Sequence, residues 1–217
     1  MCNLVKSWTR TGKIASFCVV LLLAAGVFAH STAAPAAGPQ DSVRNFYATL
    51  LTTMKDGRTL GQSGRYARLA PVVDRVFDVP SMTRLAVGSS WATLPPAQQQ
   101  RLTEAFRHYV AATYADRFDS YSGEQLQVTG EQPYNAEIIV QTKIVKSNGE
   151  TTTLNYMTRQ NQGTWQISDV YLDGTISQLA VQRSEFNSVL RREGVDGLVM
   201  ALNRKVDLLS RGVAKAS

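Results

Sequence analysis

Two hydrophobic rhythms run along this chain, and the change from one to the other near Gly123 separates helical from strand territory. Before that point apolar residues recur every three or four positions. Val43, Phe46, Tyr47, Leu50, Leu51 and Met54 predict an amphipathic helix over Asp41–Met54, with Asp41 or Ser42 capping its start. A Gly-rich polar loop is expected over 57–64. A second helix follows, carrying Tyr66, Leu69, Val72, Val73, Val76 and Phe77, and Pro71 marks a restart or a bend in it. Asp78 then caps a short third helix that turns Met82 and Leu85 inward and stops at Gly88, with Ser89, Ser90 and Trp91 as a connector. From Pro96 to Tyr121 the stripe Leu102, Phe106, Tyr109, Val110, Thr113, Tyr114, Phe118 and Tyr121 predicts a long helix with an unusually aromatic face.

Beyond Gly123 the texture becomes rich in Thr, Val, Ile and Gln, and predicts four strands over 126–129, 136–145, 151–158 and 165–172. Turns at Ser147-Asn148-Gly149 and Asn161-Gln162-Gly163 join successive strands at hairpin spacing, so the sheet is expected to be antiparallel. Gly174 ends the last strand. Ile176, Leu179, Phe186 and Leu190 then predict a helix, and Arg183 falls inside its apolar stripe. A guanidinium on an inward face needs a partner: either Asp169 or Asp173, or an anionic headgroup on a ligand. After a break at Gly194, Asp196 caps a final helix with Leu198, Val199, Leu202, Val206 and Leu209. Helices, then a meander, then helices, define an α+β fold with helices packed around a curved four-stranded antiparallel sheet. Such a sheet is able to enclose an apolar cavity.

Composition narrows the function. Lys6, Arg10 and Lys13 precede an apolar run over 14–29 and a small-residue stretch, STAAPAAG, which together read as a cleaved export signal over residues 1–33. The mature domain is then 34–217, and it is exported. Both cysteines, Cys2 and Cys18, fall in the signal, so the exported chain folds in an oxidising compartment with no disulfide. The formal charge of +6 includes the three signal cations, leaving about +3 after cleavage. That balance, with no basic run interleaved with aromatics, argues against nucleic-acid binding.

Catalytic equipment is sparse. Beyond the cleavage region the one histidine is His108, expected on an exposed face, so neither a zinc site nor a Cys-His or Ser-His-Asp arrangement can be assembled. No Gly-rich phosphate loop is present, no cofactor is implied, and Asp116 with Asp119 reads as a solvated helix face. The chain is expected not to be an enzyme. Many large apolar side chains without catalytic groups fit the binding of something greasy, or else an ordinary core.

Three segments carry a resemblance: DVPSMTRLAVGSSW from Asp78, QQQRLTEAFRHYVAATY from Gln98, and WQISDVYLDGTISQLAVQRSEF from Trp165. Together they resemble the MlaC family of periplasmic lipid carriers, also described as toluene-tolerance proteins, and within it the hopanoid-associated HpnM branch. Pro95, where the family often has a serine cap, and Leu172-Asp173 depart from the pattern. The resemblance implies an NTF2-like cone and a monomeric carrier of a membrane lipid, phospholipid or hopanoid. It also implies partners: an inner-membrane ABC or RND-type lipid transporter and an outer-membrane lipoprotein complex. Cavity lining is then expected from Leu85, Trp91, Phe106, Tyr109, Val110 and Tyr114 on the helices. From the sheet it is expected from Ile138, Val140, Leu154, Tyr156, Trp165 and Val170. Arg183 either touches the headgroup or locks the sheet to its helix. Two other readings stay open: a small isomerase or hydrolase using Asp169 with Tyr156 or Tyr171, and an envelope adaptor without lipid cargo.

Overall fold

The computed structural model describes residues 37–212; the expected signal and both cysteines lie outside them. In chain order come α1 (Pro39–Lys55), α2 (Gly57–Val76), α3 (Val79–Val87), a 3-10 turn (Gly88–Thr93) and α4 (Pro96–Arg117). The strands are β1 (Gln125–Tyr134), β2 (Glu137–Val145), β3 (Thr151–Asn161), β4 (Thr164–Leu172) and β5 (Ile176–Ser177), and α5 (Gln178–Ser210) follows. The strands pair in sequence order, each antiparallel to the next, in one open sheet. The fold is α+β with five strands where four are expected from the sequence, and the sheet does not close into a barrel.

The expected loop over 57–64 is instead the first turns of α2, interrupted at Gly61, whose φ of 59° breaks the helical path. Arg65 explains why a polar, Gly-rich stretch holds a helix. Its buried guanidinium donates from Nε to Ala115 O at 2.7 Å, from Nη1 to Gly57 O at 2.9 Å and from Nη2 to Gln62 Oε1 at 2.7 Å, tying the start of α2 to the end of α4. Gly57 is required for that approach, since a Cβ there would lie 2.0 Å from Asp119 O. Pro71 sits inside α2 without ending it.

Asp78 caps α3 as expected, accepting from Ser81 N at 3.2 Å. Val79, Met82, Thr83 and Ala86 form its buried face. Leu85 lies about 110° from the centre of that face at 100° per residue, and is 41% exposed rather than inward. The long helix α4 stops at Arg117, four residues before Tyr121, which is itself exposed. Its stretch from Val110 to Asp116 is buried almost all round, except half-buried Thr113, because α2, α3 and α5 all pack on α4; this is why alanines surround Val110 and Tyr114 there. Asp116 is therefore buried, and Asp119 half-buried, not a solvated pair.

The apolar run of β4 is not a simple alternation, and a bulge accounts for it. Met157 pairs with Asp169 but Thr158 pairs with Ile167, leaving Ser168 as the extra residue. The face turned to the helices thus passes from Trp165 and Ile167 before the bulge to Val170 and Leu172 after it. Ile176, expected to start the last helix group, belongs to β5 and is exposed; the helix begins at Gln178, capped by Ser177 Oγ, which accepts from Ala180 N at 2.9 Å. Gly194 (φ 65°) then turns α5 back on itself, bringing Lys205 Nζ to 2.5 Å from Glu185 Oε2.

Behind the sheet Phe46 forms the centre of an aromatic core. Its ring meets Phe77, Tyr114 and Tyr156 edge-on, with centroids 5.3, 5.1 and 6.3 Å away. Tyr47 OH lies 2.6 Å from Thr142 Oγ1, which itself donates to Leu154 O, so the tyrosine is the donor. Tyr156 OH is buried beside the Tyr47 and Tyr114 hydroxyls and makes no hydrogen bond of regular geometry among the described residues.

Candidate functional site

Between α4, the first turns of α5 and the inner face of β2, β3 and β4 the chain leaves a cleft of about 330 Å³, open to solvent at one side. It is a cleft and not an enclosed cone. Its wall from α4 is Phe106, Tyr109, Val110, Thr113, Tyr114, Arg117 and Phe118. From the sheet come Ile144, Thr152, Leu154, Asp169, Val170 and Leu172; from α5 come Gln178, Leu179 and Gln182; Phe77 and Met82 complete it. Most of the accessible wall is apolar.

Six of the residues expected to line a cavity meet here: Phe106, Tyr109, Val110, Tyr114, Leu154 and Val170. The others lie elsewhere. Val140 and Tyr156 are fully buried in the core deep to the cleft, and Ile138 is half-buried on the same strand as Val140. Trp91 packs on the core from the 3-10 turn, and Leu85 faces solvent. Trp165 lines a separate depression with Ser42, Asn45 and Arg75, where its carbonyl accepts from Ser42 Oγ at 2.9 Å. Arg183 is exposed and forms no ion pair among the described residues. It lies over the end of α3, where a Cβ on Gly88 (φ 71°) would sit 3.4 Å from its Nε. The C-terminal pole of α3 is a favourable place for that cation, so neither Asp169 nor Asp173 is needed as its partner.

Sequence reasoning missed Phe77, Met82, Phe118, Ile144, Leu172 and Leu179 as wall residues. For Ile144 the signal was present, because it follows Val140 and Thr142 on one face of β2. For Leu172 it was present too, because it follows Val170, an expected wall residue, on one face of β4.

Among the described residues Asp169 is the one carboxylate in the wall, and it is already committed. Its Oδ1 accepts from Val170 N at 2.7 Å and Leu179 N at 3.0 Å, and Oδ2 accepts from Ser177 Oγ at 2.5 Å. Burial holds its pKa above the ordinary aspartate value despite these bonds. It fixes β4 to the start of α5 and has no oxygen free of partners to serve as a base. Burial also pushes Tyr114 and, further, Tyr156 up, so both hydroxyls stay neutral at physiological pH. Tyr171 is raised by burial first and by Asp169 second. His108 is exposed on the far side of α4, bonded to Tyr66 and 3.0 Å from Glu104. Among the described residues no group of His, Cys, Asp and Glu is placed to hold a metal ion, and no helix is long and apolar enough to cross a membrane.

The fold has a solved counterpart in a phospholipid-binding protein from Ralstonia solanacearum, crystallised in complex with a phospholipid. The two chains are 24% identical, with a TM-score of 0.67 over 80% of this chain and 99% of that one. The sequence model of the MlaC protein matches residues 44–204, from α1 through the returning half of α5, and so takes in every wall of the cleft. This chain belongs to the MlaC family.

Proposed function

We propose that this protein is a periplasmic lipid carrier whose cleft takes the hydrocarbon of a membrane lipid while the headgroup stays at the open side. The observation that carries this reading is an open, mostly apolar cleft whose one carboxylate among the described residues, Asp169, is hydrogen-bonded through both oxygens, in a chain of the MlaC family. The Ralstonia protein of the same fold, which holds a phospholipid, supports it. Carriage requires no bond making. Handing the cargo between an inner-membrane transporter, of ABC or RND type, and an outer-membrane lipoprotein complex needs only partners that prefer the loaded or the empty state.

The size of the cleft sets how much lipid it takes. An apolar cavity of about 150 Å³ accommodates benzene, or about 25 Å³ per carbon. On that scale 330 Å³ gives room for about 13 carbons, well short of the roughly 30 methylenes of a two-chain phospholipid. One acyl chain therefore fits the cleft, and a second lies across its open side or requires α4 and α5 to part from the sheet. A rigid polycyclic hopanoid demands more widening than a flexible chain. Native mass spectrometry of the protein purified from the envelope of its own source, followed by lipid identification, tests the reading. A stoichiometric phospholipid supports it, a hopanoid assigns the cargo to the other lipid class, and a protein that is empty in every preparation overturns it.

A further inference from the structure

Among the described residues the wall of the cleft contains one cation, Arg117, at the last turn of α4. It is exposed and has no ion pair or hydrogen bond among the described residues, whereas its sequence neighbour Asp116 is buried. Asp169, the wall's carboxylate, is held by Val170 N, Leu179 N and Ser177 Oγ and does not pair with it. Two further polar features share this wall. The first turn of α5 places Gln178 and Leu179 there, and the amides of that turn are already bonded to Asp169 Oδ1 and Ser177 Oγ. Gln182, one turn on, also lines the cleft, and its amide oxygen is buried without a partner. An orphaned buried acceptor is costly until a donor reaches it or the amide turns over.

We infer that Arg117 selects an anionic headgroup, so that the cargo is an acidic amphiphile bearing a phosphate or carboxylate with its chain among Phe106, Val110 and Leu154. This rests on the lipid-carrier reading above and names the chemical class of its ligand. The guanidinium offers a planar fork suited to either anion. A headgroup with hydroxyl or ammonium hydrogens has in addition the Gln182 amide as a partner. A cargo with no charge leaves Arg117 solvated and gains nothing from it.

The test uses three single-chain probes of equal acyl length, each displacing the neutral dye Nile red from the purified, lipid-stripped protein. These are a lysophosphatidylglycerol, the free fatty acid and the uncharged monoacylglycerol. The wild type is expected to bind at least one acidic probe about tenfold more tightly than the monoacylglycerol, and the advantage shrinks as salt rises. Tight lysophosphatidylglycerol with weak fatty acid identifies phosphate as the recognised group, and the converse identifies carboxylate. Arg117→Gln should abolish the preference, bringing the acidic probes to the affinity of the monoacylglycerol for the same variant, and Arg117→Lys should restore part of it. Because Arg117 is exposed and unpaired, neither substitution threatens the fold. Equal affinity for all three probes in the wild type, or a preference that survives Arg117→Gln, overturns the inference while the carrier reading stands. Failure of every probe to displace the dye overturns both.

Discussion

Placing a carboxylate at Leu154 and the same carboxylate at Val140 separates the cleft from the core behind it. Both positions lie on the inner face of the sheet, on adjacent strands, yet Val140 is 0% exposed and Leu154 is a half-buried wall residue. At Val140 the substitution removes a buried side chain worth about 1.5–3 kcal/mol. It also leaves an unpaired charge among apolar neighbours, at about 3–5 kcal/mol. The total approaches or exceeds a typical stability of about 5–15 kcal/mol, so Val140→Asp should fail to fold. At Leu154 the new carboxylate faces a cleft that water reaches, and the empty protein should lose only about 1–2 kcal/mol. Loading is where the cost falls. Filling the cleft with about 13 carbons at about 0.8 kcal/mol each yields roughly 10 kcal/mol of hydrophobic transfer. Desolvating the carboxylate takes back several kcal/mol, enough to weaken lipid uptake at least 100-fold. Circular dichroism melts and native mass spectrometry of lipid content measure the two effects. A folded Leu154→Asp protein with undiminished lipid would refute the assignment of this wall, and a Val140→Asp protein with a normal Tm would refute the division between wall and core. Phe106→Asp is a poorer probe, because Phe106 both lines the cleft and packs edge-on against Phe186 at 5.4 Å.

Four further outcomes are expected. Arg65→Met should cost about 2–4 kcal/mol in denaturant unfolding, since it strips donors from Ala115 O and Gly57 O in a buried site. Gly57→Ala should destabilise measurably in the same assay, because its Cβ would meet Asp119 O at 2.0 Å and backbone must shift. Tyr156→Phe should change stability by less than about 1 kcal/mol, because the buried hydroxyl lies beside those of Tyr47 and Tyr114 without a regular hydrogen bond; a larger loss would mean that it is bonded to one of them. Asp169→Asn addresses pH. The folded pKa of Asp169 is raised above its ordinary 3.8, so its contribution to stability is fully present below about pH 4 and is lost as pH rises through the folded value. Urea melts across that range should therefore show the Asp169→Asn variant gaining on the wild type as pH rises, and a flat difference would contradict the assignment.

Periodicity alone located α1, α3, α4 and the four long strands: α1, α3 and the first half of α4 bury one face and carry a period of 3.6, and the strands stand out by their Thr, Val and Ile texture between turns. It also determined the order of helices and meander, and the poverty of catalytic groups follows from composition. Tertiary structure decided the rest. The start of α2 is helical because Arg65 reaches across to α4, a contact fifty residues away in sequence. Arg183 keeps its place beside Leu179 and Phe186 on the helical wheel, but there the stripe passes the end of α3, and the guanidinium lies exposed over Gly88. Which apolar residues form cleft and which form core was likewise beyond the sequence. Val140, Tyr156, Leu154 and Val170 share one hydrophobic pattern, and only the bulge at Ser168 and the path of α5 over the sheet determine which pair meets open space. A one-dimensional pattern records that a face is buried; the packing of distant elements decides whether what buries it is protein or an empty cleft.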